Sequence, residues 1–85
     1  EPDAVFVGGG GSPAVLDTAL DSLASGGRLV ANSVTLETEA LLIRYHDTHG
    51  GHLQQVSFAE ATRLGSFRGW APARPQVQWV YEKQA

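Results

Sequence analysis

"VFVGGGGSPAV", residues 5–15, decides how the rest of the chain is interpreted. An apolar run leads directly into glycines, and residues 8–12 have the composition of a flexible linker. However, a continuously apolar run is typical of a buried parallel strand. Ser12 followed by Pro13 is typical of the N-cap and first position of a helix. We therefore interpret the glycines as a strand-to-helix loop, which in α/β sheets is a place where ligands bind.

The same pattern then repeats along the chain. A helix is predicted after Pro13, a second strand over residues 28–32, and a second helix capped by Ser33 or Thr35, and a glycine pair follows each helix. The order β-α-β-α predicts a parallel sheet with right-handed crossovers. The apolar residues expected to face the core are Val15, Leu16, Ala19, Leu20 and Leu23 in the first helix and Leu36, Ala40, Leu41, Leu42, Ile43 and Tyr45 in the second.

The last third of the chain has a different character. Residues 52–60 predict a strand with weak alternation, and residues 76–81 alternate clearly between apolar and polar side chains. The intervening residues 62–75, rich in Gly, Pro, Arg and aromatics, predict a long loop. We expect the two strands to form an antiparallel pair at a sheet edge.

Composition limits the classes of protein that the chain can represent. With 85 residues, 42% of them hydrophobic and 18% charged, it is expected to be one small globular domain. A net charge of −3 argues against nucleic acid or an acidic membrane as its main partner. The absence of cysteine excludes disulfides, thiolate zinc sites and cysteine catalysis. No apolar run reaches the ~20 residues of a membrane span, and no secretory leader pattern is visible, so a cytoplasmic location is expected.

The predicted elements do not close into a complete domain. Two right-handed crossovers place both helices on one face of the sheet, although Val5, Val7, Leu29 and Ala31 suggest strands covered on both faces. One interpretation is a small two-layer sandwich that dimerises. We favour the other, in which residues 1–85 form a single partial domain, the C-terminal half of a larger doubly wound fold.

Three stretches carry a resemblance to a known family. "DAVFVGGGGS" (residues 3–12), "GGRLVANSVTLETEALL" (26–42) and "RLGSFRGWAPARPQVQW" (63–79) closely resemble the C-terminal domain of the precorrin-6Y C5,15-methyltransferases of cobalamin biosynthesis. The resemblance implies an α/β fold, the C-terminal half of a class I S-adenosylmethionine-dependent (Rossmann-like) methyltransferase domain. It implies two parallel strands with crossover helices, followed by an antiparallel strand pair.

The resemblance also implies an activity and partners. Members of the family transfer a methyl group from S-adenosylmethionine to C15 of a precorrin and decarboxylate the acetate on C12, and they form homo-oligomers, typically tetramers. Their main cofactor-binding elements, a G-x-G-x-G loop and an acidic residue, precede the part that this chain matches. We therefore expect the chain to need the missing N-terminal half of its domain and to be inactive alone.

Site residues follow from the same resemblance. Gly8, Gly9 and Gly10 match the loop that faces S-adenosylmethionine and the incoming ring, where a flat macrocycle needs close backbone approach; alternatively, they form only a tight turn. Asn32 and Ser33 end the next strand on the same side and are expected to hydrogen-bond the substrate or orient the cofactor. Helix capping is the alternative for Ser33.

The loop before the last strand adds candidates for substrate binding. Arg68 and Arg74 suit the acetate and propionate carboxylates of a precorrin, because guanidinium groups bind carboxylates bidentately. Alternatively, they are solvated or pair with Glu60 or Glu82. Trp70 could stack on the macrocycle or pack in a core or an oligomer.

The sequence also bears on functions other than this one. His46, His49 and His52 are not expected to form a metal site, because a glycine pair separates them and neither cysteine nor a carboxylate pair supports them. No residue can be assigned to assist decarboxylation. The alternatives are a non-catalytic α/β binding or dimerisation module, and a class I methyltransferase with another substrate.

Overall fold

Four strands form a mixed sheet with two helices on one face, and two further strands form a separate hairpin. This is the arrangement in the computed structural model, which describes residues 2–9 and 11–84. The elements in chain order are β1 (Ala4–Val7), α1 (Pro13–Ser22), β2 (Arg28–Ser33), α2 (Leu36–His49), β3 (His52–Val56), β4 (Ala59–Leu64), β5 (Phe67–Pro72) and β6 (Gln76–Glu82). Neither helix in this described part of the chain is long and apolar enough to cross a membrane.

The sheet has the strand order β1-β2-β6-β3. β1 and β2 are parallel, with Val7 opposite Ala31. β6 is antiparallel to both of its neighbours, so that Trp79 lies between Ala31 of β2 and Leu53 of β3. The predicted parallel pair and the predicted antiparallel pair at an edge are both confirmed, with β6 on the inside of that edge pair.

Both helices begin at the residues that the capping pattern predicts. The Ser12 hydroxyl accepts a hydrogen bond from the Val15 N–H at 3.3 Å, and Pro13 is the first helical residue. The Thr35 hydroxyl accepts from the Thr38 N–H at 3.2 Å. These bonds satisfy N–H groups that the first turn of a helix otherwise leaves free.

The hydrophobic core lies between the helices and one face of the sheet. Its members are Val7, Leu16, Ala19, Leu23, Leu29, Ala31, Leu41, Leu42, Val77 and Trp79. Trp79 is fully buried, and its indole N–H donates to the Gly50 carbonyl at 2.8 Å. The bond joins the end of α2 to the middle of the sheet.

Several residues predicted to face the core are exposed. Leu36, Ile43 and Val15 are 77%, 46% and 45% exposed, and Ala40 is also on the surface. The prediction was wrong for the α2 residues because α2 covers the sheet mainly through Leu41 and Leu42. It was wrong for Val15 because this side chain of α1 faces the open cleft beside β1. The described chain has no layer on the outer side of either helix.

The second face of the sheet carries no helix among the described residues. Phe6 on this open face is 69% exposed, so β1 is not covered on both faces as its apolar run suggests. A ladder of side-chain amides crosses three strands there. Gln78 donates to Asn32 at 3.1 Å and accepts from Gln54 at 2.8 Å, and Gln54 contacts His52 at 3.2 Å.

Residues 62–75 contain a β-hairpin instead of the predicted long loop, and the predicted strand over residues 52–60 ends at Val56. β4 and β5 pair with Leu64 opposite Phe67, which leaves Gly65 and Ser66 as a two-residue turn. Gly65 has φ +65°, the left-handed region that the first position of such a turn requires. The Gly-Ser pair is a known hairpin signal that the sequence interpretation overlooked.

We call residues 58–73 the hairpin arm. A hydrogen bond of 2.9 Å from the Ala73 N–H to the Phe58 carbonyl closes its base. Every residue of the arm except Gly69 is exposed, and the molecule measures 55 × 24 × 18 Å. β3 is antiparallel to β6, as β2 is, so β1, β2 and β3 all end at the same edge of the sheet. The arm therefore projects from the edge at which the glycine loop lies.

Candidate functional site

An open cleft of about 740 Å³ lies beside the glycine loop. Residues 5–9 form one wall, and α1 forms the other with Ala14, Val15, Thr18 and Ser22. The lining is mainly apolar, and the volume is in the range of small-molecule sites. The cleft runs along the unpaired edge of β1, so it is open to solvent on that side.

Gly8 and Gly9 leave free space in front of the backbone. A Cβ atom at either position would meet no atom within 4 Å, and neither residue has a positive φ. The backbone conformation therefore does not require glycine at these positions, and the absent side chains leave room for a ligand. Gly11 differs, because its Cβ would lie 3.5 Å from the Val7 side chain. Gly10, the third predicted member, lies outside the described residues.

Asn32 and Ser33 lie beside the glycine loop but point to opposite faces of the sheet. Val7 is opposite Ala31, so the residues after each come next to one another. The half-buried Asn32 carboxamide lies on the open face and accepts from Gln78. Ser33 is 1% exposed, and its hydroxyl donates to the Thr35 carbonyl at 2.8 Å and accepts from the Thr35 N–H at 3.2 Å. The structure thus places Ser33 in the turn before α2, with its hydroxyl occupied.

The two predicted arginines lie on or beside the hairpin arm. Arg68 belongs to β5, and Arg74 lies between the arm and β6, both exposed. Neither pairs with Glu60 or Glu82. Among residues 2–9 and 11–84 the recorded ion pair joins Arg28 to Glu82 at 3.7 Å. The guanidinium groups are therefore open to ligands, but Arg68 lies out on the arm rather than in the cleft.

The histidines lie at the junction of α2 and β3. His46 and His49 are in the last turn of α2, and His52 begins β3. His49 contacts aromatic rings, with its centroid 6.2 Å from that of Trp79 and 5.9 Å from that of Tyr81. Within the described residues, no three metal-ligating side chains come together.

One polar contact between the helices was not predicted. The Tyr45 hydroxyl of α2 donates to an Asp17 carboxylate oxygen of α1 at 2.7 Å. This hydrogen bond raises the pKa of Tyr45, with smaller contributions from desolvation and from the Asp17 charge. The two residues are far apart in sequence, so no local pattern could have paired them. The contact ties α2 to α1, the helix that lines the cleft.

A parallel strand pair with a glycine loop at its carboxyl edge and an apolar cleft beside it defines part of a Rossmann-like ligand-binding domain. A family model described as "Precorrin methyltransferase domain" matches residues 1–83. The chain therefore belongs to the precorrin methyltransferase family.

Individual relatives agree with this assignment. The C-terminal domain of precorrin-6Y C5,15-methyltransferase from Rhodobacter capsulatus is 51% identical, with a TM-score of 0.85 over 96% of this chain and 45% of that one. A precorrin-6Y C5,15-methyltransferase targeted domain from Corynebacterium diphtheriae, 40% identical, gives 0.87 over 96% and 48%. A precorrin-6Y C(5,15)-methyltransferase [decarboxylating] from Sinorhizobium is 48% identical over 98% of this chain. The resemblance in sequence and the expected fold class are both confirmed.

The chain spans only part of the proteins that it matches. It covers less than half of the two solved domains and 20% of the Sinorhizobium protein. Activity, substrate and cofactor of the whole protein are therefore taken up as proposals.

Proposed function

We propose that this chain forms the substrate-facing half of an S-adenosylmethionine-dependent domain that methylates C15 of a precorrin and decarboxylates its C12 acetate. The observation that carries this is the pair Gly8 and Gly9, which opens onto a cleft at the carboxyl edge of a parallel strand pair. Family membership and the name of the Sinorhizobium relative support the substrate class. We place the domain in the cytoplasm, where S-adenosylmethionine is made.

We further propose that residues 1–85 are a partial domain and that the other half covers β1. The outer edge of β1 pairs with no strand among residues 2–9 and 11–84, and Phe6 and Val15 leave apolar surface exposed beside it. An uncovered edge strand of this kind is a site for strand pairing. In each solved relative, the part that this chain does not cover is longer than the part that it covers. The adenine and ribose contacts would then lie in that half, so the chain alone is expected to be inactive.

The residues present fit one wall of a methyl-transfer site. When bound, S-adenosylmethionine would supply the electrophilic methyl group. Gly8, Gly9 and Gly10 would let the macrocycle and the donor approach the backbone, and the apolar cleft would keep water away. The Asn32 amide group donates no side-chain hydrogen bond among the described residues and would orient the ring, whereas Arg68 and Arg74 would bind its carboxylates. No described residue is assigned to assist decarboxylation.

Isothermal titration of the complete domain with S-adenosylhomocysteine tests this proposal. We expect saturable binding, and we expect Gly9→Leu to weaken it about tenfold or more, because the side chain would fill the space beside the loop. Ser25→Leu, in the exposed turn beyond the other end of α1, is the matched control and should bind normally. No binding by the complete domain would reject the methyltransferase function. Binding without turnover of precorrin-6Y would instead indicate another substrate.

We also propose that the protein assembles with further copies of itself through one face of the hairpin arm. Leu64 and Phe67 are opposite one another on this face and are 68% and 76% exposed. An isolated two-stranded hairpin is marginally stable in water. A second copy packed on this face would stabilise the arm and bury both side chains.

Phe67→Glu in the full-length protein is expected to lower the oligomeric state, because a buried, unpaired carboxylate opposes association. Light scattering after gel filtration measures the mass. Leu36→Glu is the matched control, since Leu36 is 77% exposed and belongs to α2 rather than to the arm. An unchanged mass for Phe67→Glu, or an equal loss for both variants, would exclude this interface.

A further inference from the structure

Two arginines lie directly opposite one another near the tip of the hairpin arm. Arg63 of β4 and Arg68 of β5 are register partners. Ala61 and Trp70, each two residues further from the turn, are also partners. Side chains alternate between faces along a strand, so both pairs lie on the same face. Leu64 and Phe67 lie on the other. The arm therefore has one aliphatic and aromatic face, and one face that combines two guanidinium groups with an indole.

The arginine pair has no compensation within the described chain. Like charges directly opposite each other destabilise an antiparallel pair. Neither Arg63 nor Arg68 takes part in an ion pair recorded among residues 2–9 and 11–84. Residues 58–75 hold three of the six arginine and lysine residues but only one of the nine carboxylates, in a chain of net charge −3. Positive charge is thus concentrated on the arm and at Arg74 directly after it, and an anionic ligand would neutralise it.

The surface around the pair suits a flat anion. Two shallow depressions meet at Arg68, one shared with Arg63 at the tip and one with Ala61 and Trp70. Trp70 is 75% exposed, and its cross-strand neighbour Ala61 is too small to cover the ring. An open indole face stacks on conjugated rings, and guanidinium groups bind carboxylates bidentately.

The position of the pair limits what it can do. The arm leaves the same sheet edge as the glycine loop, and its six-residue strands extend roughly 20 Å at about 3.4 Å per residue. The pair near the tip is therefore too distant from Gly8 and Gly9 to touch a reacting carbon in the cleft. It can attract and hold the outer part of a charged ligand.

We propose that Arg63, Arg68 and Trp70 form a carboxylate-binding platform that captures a flat, conjugated polycarboxylate near the tip of the hairpin arm, before the ligand reaches the cleft. The ligand class rests on the proposed function, because acetate and propionate groups surround the ring of a precorrin. Arg63 is thereby added to the substrate-binding residues. The platform acts on ligand capture and not on the methyl-transfer step.

Titration of the full-length protein with uroporphyrin, a flat tetrapyrrole with acetate and propionate groups on every ring, tests the platform. We expect the Arg63→Gln/Arg68→Gln variant to raise the Kd about tenfold at low salt, with a smaller difference at high salt. Arg44→Gln removes an exposed arginine of α2 and should change the Kd less than about twofold. Trp70→Phe should bind nearly as well as the parent, whereas Trp70→Ala should bind about threefold more weakly. Thermal unfolding midpoints close to that of the parent would show that each variant is folded.

Three results would overturn the platform. The first is an unchanged Kd in the double arginine variant, and the second is an equal loss of affinity in Arg44→Gln, which would indicate an effect of net charge alone. The third is equal binding of a tetracationic porphyrin of the same size, which would show that stacking suffices without the arginines. Titration with S-adenosylhomocysteine separates the two proposals. If the protein binds porphyrin through the arginines but does not bind S-adenosylhomocysteine, the platform is kept and the methyltransferase function is rejected.

Discussion

Replacing Trp79 with alanine is expected to lower the free energy of unfolding of the complete domain by about 3–5 kcal/mol. Trp79 is fully buried at the centre of the core, between Ala31 and Leu53 of the neighbouring strands. Its removal leaves a cavity that the surrounding strands cannot close, and it leaves the Gly50 carbonyl without its donor. Chemical denaturation followed by circular dichroism measures the loss.

Two further variants separate packing from hydrogen bonding at this position. Trp79→Phe keeps an aromatic ring in the core but loses the indole N–H, so we expect a loss of about 1–3 kcal/mol. Trp70→Ala removes the tryptophan of the arm, which is 75% exposed, and should cost less than about 0.5 kcal/mol. A similar loss for Trp79→Ala and Trp70→Ala would contradict the placement of Trp79 in the core.

Gly51→Ala is expected to destabilise the domain by about 3 kcal/mol, by two separate effects. Gly51 has φ +94°, where a Cβ atom strains the backbone. A Cβ there would also lie 2.5 Å from the Val80 carbonyl oxygen and 3.0 Å from the Trp79 indole nitrogen. The crowding falls on backbone and on the buried indole, so neither neighbour can move aside easily.

Gly26→Ala is a matched control for this contact. Gly26 has φ +81° in a tight turn but no atom within 4 Å of a Cβ, so only the backbone strain of about 1 kcal/mol applies. The difference in unfolding free energy between the two variants measures the contact of Gly51 with β6. Equal losses for the two variants would mean that β6 does not approach Gly51 as described.

The local parts of the fold could be predicted because their causes are local. Ser12, Pro13 and Thr35 act within one helical turn, so capping chemistry indicated both helix starts. The glycine loop could be placed between a strand and a helix because an apolar run precedes it and a capping pattern follows it. The exposure of Leu36 and Ile43 could not be predicted, since an apolar stripe indicates a covered face without showing that the covering layer is present.

The hairpin arm and the position of its arginines could not be predicted without knowing how its two strands pair. Proline and aromatic residues suggested a loop, although Gly65 and Ser66 form a hairpin turn. Arg63 was not predicted as a binding residue, because it becomes the direct neighbour of Arg68 only in the paired register. Asn32 and Ser33 were expected to act together. Successive residues of a strand point to opposite faces, however, and the Ser33 hydroxyl is enclosed in the turn before α2.

The last strand among the described residues has an inside position in the sheet. β6 lies between β2 and β3, so during synthesis β3 and the hairpin leave the ribosome before the strand that joins them to β2 exists. Until residues 76–82 emerge, the core lacks its tryptophan, and β3 has no edge with which to pair. Translation must therefore pass this segment before the polypeptide can fold cooperatively, and a nascent chain stalled before it would remain sensitive to proteases.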